Sequence, residues 1–214
     1  MYMIHTCPER LWYVRDYLIP SMQSQGISNI EIWNDIERKG NLQSFVDSMK
    51  ECGRRAGGTW HLQDDVVISS DFAKVTKMNC HGIVCGYCND KFGPNIALFG
   101  NVPVQFMWNS FPCIRIPNET AKAFYEWFTN DAMNDKTNRG RILQRKFDDS
   151  FFQIFVIEHY KGLVTNLKPN IVDHVDFLIG GSVINKARNA QSRAAYFDGP
   201  EVEQLQTELA KRRS

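Results

Sequence analysis

The sequence predicts an α/β protein built on a doubly wound sheet, and three observations lead there. Tyr2-Met3-Ile4-His5 and Asn29 to Asp35 have the β-forming composition of short strands, and the apolar members of the second alternate. Between them Leu11, Val14, Leu18 and Met22 recur at helical spacing, so about 35 residues make one strand-helix-strand unit. Leu42, Phe45, Val46 and Met49 repeat the helical spacing, and Gly57-Gly58 then turns the chain into a third strand that ends in Gln63-Asp64-Asp65. The order β-α-β-α-β is the nucleotide-binding half of such a sheet.

Each element has a local reason. Pro20 is expected to kink the first helix or end it early, and Gln25-Gly26 leads out of it. Val66-Val67-Ile68 continues past the acids as a second apolar run, and Ser70 or Asp71 starts a helix carrying Phe72, Val75 and Met78. Val102 to Trp108 and Cys113 to Ile116 read as strands, with Phe106, Trp108 and Phe111 as an aromatic cluster suited to core packing or to stacking on a ring. Pro117-Asn118-Glu119-Thr120 opens a helix with Ala121, Phe124, Tyr125 and Phe128 on one face, and 130–145 is polar, as in an exposed loop or lid. A second acidic pair, Asp148-Asp149, precedes the apolar helix from Phe151 to Ile157. Leu163 to Asn166 is a strand, and Val202, Leu205 and Leu209 share one face of a last helix.

The bulk properties narrow the class. A chain of 214 residues fits one α/β domain. A formal net charge of +1 gives no overall field toward nucleic acid or membrane. No apolar run reaches the roughly 18 residues of a membrane span, and Met1 to Thr6 lacks the make-up of a signal peptide. The expectation is a soluble cytoplasmic protein whose six cysteines are mostly free thiols; oligomeric state is unsignalled.

The chemistry concentrates where strands end. Unpaired carboxylates cost several kcal/mol to bury, so Asp64 and Asp65, flanked by apolar runs, are expected at a strand end facing a cleft. Hard oxygen ligands displayed there suit Mg²⁺ or Mn²⁺ with phosphate oxygens, and a solvated turn is the plain alternative. Ligands of such sheets gather beyond the carboxyl ends of the strands, which places Thr6, Pro8 and Arg10 beside Asn34, Asp35, Asp64 and Asp65. Arg10 reads equally as a surface residue or a phosphate or base contact, and Asp35 as a turn cap or a ligand. The rival constellation is Cys80, His81, Cys85 and Cys88, a candidate zinc or redox module; it lacks a second separated pair and runs into loop chemistry.

Gln63-Asp64-Asp65 resembles the Asp-x-Asp region of nucleotide-sugar-dependent glycosyltransferases with the GT-A fold, with Gln63 departing from the usual first acid. The Thr6-x-Pro8-x-Arg10 loop and Asp35 resemble the parts of that family that hold the nucleotide. Phe147-Asp148-Asp149 looks like its acidic helix start, and Pro169 to His174 before Gly180-Gly181-Ser182 looks like the end of its core. The resemblance covers roughly 2–182. It implies a GT-A-like, Rossmann-type mixed sheet flanked by helices, as one catalytic domain over 1–182, with a nucleotide-binding half over about 1–88 and an acceptor half over about 89–182. The rest, 183–214, is a basic segment with Lys186, Arg188 and Arg193 and a helical extension. By the same resemblance Asp65 and His174 bind Mn²⁺ or Mg²⁺, while Thr6, Pro8, Arg10, Asp35, Gln63 and Asp64 contact the donor, a UDP-sugar foremost. Asp149 is the general base of an inverting transfer and Asp148 orients the acceptor or the fold. The acceptor is a glycan, or a hydroxymethylated DNA base if the chain works in a phage-infected bacterium.

Overall fold

The computed structural model describes residues 1–78, 80–87, 111–135, 148–167, 169–180, 197–200 and 202–213. The first half follows the predicted order: β1 (Tyr2–Thr6), a helix, β2 (Ile30–Asn34), α3 (Asn41–Cys52) and β3 (Gly58–Gln63). The first helix is made of α1 (Leu11–Tyr13), a π-helical turn Val14–Leu18, and α2 (Ile19–Ser24). Pro20 therefore does not end the helix. The wider π turn directly precedes it, where the missing proline N–H would otherwise break the ladder, and the Ser21 hydroxyl donates to the Tyr17 carbonyl at 2.8 Å.

After β3 come β4 (Val66–Ile68), α4 (Phe72–Thr76), β5 (Ile83–Cys85), β6 (Cys113–Pro117), α5 (Asn118–Trp127) with a π-helical end Phe128–Ala132, α6 (Asp148–His159), β7 (Val164–Asn166), β8 (Val172–His174) and α7 (Val202–Arg213). Among the described residues, six strands form one sheet in the order β2-β1-β3-β6-β5-β7. β1 pairs parallel with β2 and β3, β5 parallel with β7, and β6 runs antiparallel between β3 and β5. The fold is thus mixed α/β around a mostly parallel sheet. β4 and β8 make a separate antiparallel pair.

The period of two along each strand divides the core between the two faces of the sheet. Ile4 and Leu62 join Tyr13, Tyr17, Leu18 and Phe72 on one side. Met3, Ile114 and Ile116 join Phe45, Met49, Phe124 and Phe152 on the other. The second side is an aromatic cluster in which the Phe124 ring lies 5.2 Å from Phe152, 5.5 Å from Phe155 and 5.8 Å from Phe45. Phe111 packs there too, at 5.3 Å from Phe45.

One expected face changes and another is kept. Met78 lies beyond the end of α4 and is exposed, because the helix stops at Thr76 before a third apolar residue can turn inward. Leu205 and Leu209 of α7 are buried in the first core cluster, so the terminal helix is docked on the sheet by the stripe its sequence carries. The strand expected at Val102 to Trp108, Cys88 and the basic residues Lys186, Arg188 and Arg193 lie outside the described residues.

Candidate active site

Thr6, Asn34 and Gln63 end three adjacent parallel strands, and the residues that follow each of them gather at one edge. A cleft of about 250 Å³ opens there, lined by His5, Thr6, Cys7, Glu9, Arg10, Asp35, Arg38, Gly40, Asn41, Ser44, Gln63, Asp64 and Asp65. Of the residues expected at the nucleotide, Thr6, Arg10, Asp35, Gln63 and Asp64 thus share one cavity with Asp65. Pro8 is exposed in the loop and is not part of the lining.

Arg10 is 5% exposed and occupies the centre of the acidic pair. Its Nη1 lies 3.0 Å from Asp64 Oδ1 and 2.8 Å from Asp65 Oδ2. Burial opposes its charge, but the two carboxylates outweigh that and hold the guanidinium protonated above its ordinary range. Asp64 also accepts from the Cys7 backbone N–H at 3.3 Å. The arginine of the loop after β1 therefore packs against the acids and orients them.

The late histidine arrives through strand pairing. β8 runs antiparallel to β4 with His174 opposite Val66, and the Val175 N–H donates to the Asp65 carbonyl at 2.8 Å. This register sets His174 Nδ1 3.5 Å from Asp65 Oδ1. The Tyr87 ring meets the imidazole edge-on at 5.1 Å and fixes its plane. Burial disfavours the imidazolium, yet Asp65 overrides it and raises the pKa of His174. Burial likewise works against ionisation of Asp65, but His174 and Arg10 hold it far below the usual carboxylate range. Asp64 takes the opposite course: burial, then the charge of Asp65, push it up to about 6. Asp65 is the stronger acid of the pair.

On the far side of the cleft Asp35 does what a turn cap does. Its two carboxylate oxygens accept the backbone N–H groups of Lys39 and Gly40, each at 2.9 Å. The loop so formed delivers Asn41 to the start of α3 and to the cleft lining. The Asn41 Nδ2 donates to Asp148 Oδ1 at 2.7 Å, which ties the second acidic pair to the cleft wall. Asp148 is 5% exposed, and burial, then the charge of Asp149, push its pKa up to about 7. Asp149 is half-buried at the start of α6, where its Oδ1 accepts the Ser150 N–H at 2.6 Å.

Four participants escaped the sequence reading. Asn41 had no motif, only its place after Gly40. His5 and His61 face each other across neighbouring strands with a ring-nitrogen contact of 2.9 Å beneath the cleft, a relation visible only once β1 and β3 are paired. Asp176, two residues beyond His174, stands close enough to feel the charges of Asp65, His174 and Arg10, and its pKa is raised by burial and then by Asp65.

The cysteine constellation is dispersed. Cys85 belongs to the aromatic side of the sheet and Cys80 packs on the other side. Among the described residues no group of three or more His, Cys, Asp or Glu is arranged to hold a metal ion. Cys7, Cys52, Cys80, Cys85 and Cys113 are free thiols.

No family model matches the chain, and no curated protein matches it. Among solved structures, one similar chain is a glycosyltransferase involved in the glycosylation of the major capsid of PBCV-1. It is 8% identical, with a TM-score of 0.43 over 81% of this chain and 91% of that one. A likeness of that size carries no argument about the chemistry here, which rests on the residues of the cleft.

Proposed function

We propose that this chain is a glycosyltransferase that moves a sugar from a nucleotide-sugar, a UDP-sugar foremost, to a hydroxyl of a glycan acceptor. The observation that carries the reading is the contact of His174 with Asp65, an acid that lines the strand-end cleft. Chain-distant carboxylate and imidazole groups aimed at each other, beside a cavity where α/β sheets bind ligands, suit a diphosphate site better than a solvated turn.

The residues fit a divalent cation. Asp65 Oδ1 is buried and accepts no hydrogen bond, and it faces the Nδ1 of His174. One carboxylate and one imidazole suit Mn²⁺ or Mg²⁺, with the remaining places left to diphosphate oxygens. When bound, the ion would neutralise the charge that builds on the departing diphosphate. Arg10 would keep both acids in place throughout, because its own charge is spent on them.

In the proposed reaction Asp149 takes the proton of the acceptor hydroxyl, the oxygen bonds to the anomeric carbon, and the bond from that carbon to the diphosphate breaks with its electron pair leaving on phosphate. Attack opposite the leaving group inverts the anomeric centre. Asp148, buried and anchored to Asn41, supports the helix end that carries Asp149.

The test is a panel of nucleotide-sugars screened for Mn²⁺-dependent thermal stabilisation, followed by turnover. Asp65→Asn is expected to abolish the metal-dependent shift, and Asp149→Asn to keep donor binding while losing turnover. Loss of donor binding in Asp149→Asn together with full turnover in Asp65→Asn would refute both assignments.

A further inference from the structure

We infer that Asn41 turns its amide carbonyl into the cleft and reads a hydroxyl group of the ligand, with Asp148 as the positioning residue that fixes which end of the amide faces in. This rests on the nucleotide-sugar reading, and deepens it by assigning a specificity-determining side chain that no sequence motif marks.

The geometry is built in layers. Asp35 closes the loop after β2 by accepting two backbone N–H groups, from Lys39 and Gly40. Gly40 has φ +87°, a conformation that side chains other than glycine rarely take, and its carbonyl accepts the Ser44 N–H at 3.0 Å to start α3. Asn41 is thereby held at the first position of the helix, in the cleft lining. Its amide has two chemically opposite ends. The NH₂ end donates to Asp148 Oδ1 at 2.7 Å, which leaves the carbonyl end to face away from that carboxyl oxygen. A carbonyl oxygen repels phosphate and accepts from hydroxyls, so the group it selects is a sugar hydroxyl.

The position suits a ligand that also reaches Asp65. The cleft runs from the tip of β3 across β1 to the loop after β2, two strand spacings or roughly 10 Å, about the reach from a diphosphate to a ring beyond it. That ring is either the ribose or the transferred sugar, and both carry hydroxyls of the required kind.

The experiment measures binding of the ribo and 2′-deoxyribo forms of the nucleoside diphosphates, and of the matching nucleotide-sugars, to the full chain with Mn²⁺ by calorimetry. Asn41→Ala is expected to weaken binding by about tenfold, the size of one lost hydrogen bond. The loss appears already with the nucleoside diphosphate if the hydroxyl is on the ribose, and only with the nucleotide-sugar if it is on the transferred sugar. Asp148→Ala should reproduce the loss, whereas Asp148→Asn, which still offers an acceptor oxygen to the Asn41 amide, should restore most of the affinity. Unchanged affinity for every ligand in Asn41→Ala would overturn the inference while leaving the donor reading intact. Equal losses in Asp148→Ala and Asp148→Asn would overturn the positioning role. Failure of any nucleoside diphosphate or nucleotide-sugar to bind the wild-type protein would overturn the donor reading and this inference together.

Discussion

His174 Nδ1 lies 3.5 Å from Asp65 Oδ1, although 109 positions separate them in the chain (174 − 65). The β4–β8 pairing brings the two together, since its register sets His174 opposite Val66, the residue that follows Asp65. The carboxylate raises the pKa of the imidazole, so a metal ion competes with a proton for it. Mn²⁺ affinity is therefore expected to fall as pH drops below neutrality and to be accompanied by proton release. Titration calorimetry in buffers of different ionisation enthalpy measures that release directly. His174→Ala should lose both the Mn²⁺-dependent thermal shift and the proton release, and chelation should reverse the shift in the wild type.

Arg10 is the structural keystone of the same site. Removing its guanidinium leaves Asp64 and Asp65 facing each other in a buried place with no cation between them. Breaking a buried pair in this way costs about 3–5 kcal/mol. Arg10→Met is expected to lower Tm by on the order of 10 °C at pH 7, and to recover part of that at pH 5. The recovery follows from sign. Asp64 already has its pKa raised to about 6, so acid protonates it in the folded state and relieves the repulsion. A variant equally unstable at both pH values would show that the arginine acts through packing alone.

The histidine pair beneath the cleft has the opposite dependence. Burial lowers His5 to about 4 and His61 well below its usual value, so both are neutral in the fold, while an unfolded histidine binds a proton below about 6.5. Stability from this pair is complete above pH 6.5 and is lost as pH falls toward 4. His61→Phe breaks the 2.9 Å contact and costs stability at pH 7.5, but its deficit against the wild type should shrink as the pH drops to 4.5. Denaturant midpoints across that range decide it; a constant deficit would mean the pair does not titrate with unfolding.

Much of this arrangement was legible in the sequence. Periodicity located the first three strands and the helices between them, because those elements lie one after another and each buries a regular stripe. The adjacent acids were placed at a strand end by desolvation cost alone, and that is where they are. What the sequence hid is what strand pairing creates. Nothing in Val66-Val67-Ile68 announces an antiparallel partner at Val172–His174, and the His5–His61 contact needs the β1–β3 register. The antiparallel β6 was equally silent, since Cys113 to Pro117 reads as a strand in either direction. The partners of Arg10 are hidden as well, because a lone arginine after a strand carries no record of which charge it will meet.

Asp148 gives the last prediction, and it separates stability from function. Burial and the neighbouring Asp149 raise its pKa from the usual carboxylate value to about 7, so between pH 4 and pH 7 the folded protein holds a proton that the unfolded chain has lost. Stability contributed by that proton is present at acid pH and declines as pH rises through 7, leaving a buried charge above it. Asp148→Asn removes the charge while keeping an oxygen that can accept from Asn41. The variant is expected to melt several degrees above the wild type at pH 8, with the gain shrinking at pH 5 and vanishing near pH 4. Calorimetric Tm values at those three pH values check it. A carboxylate that adds to stability at pH 8 would instead make the variant melt lower there, and would show that Asp148 is held ionised by partners stronger than its burial.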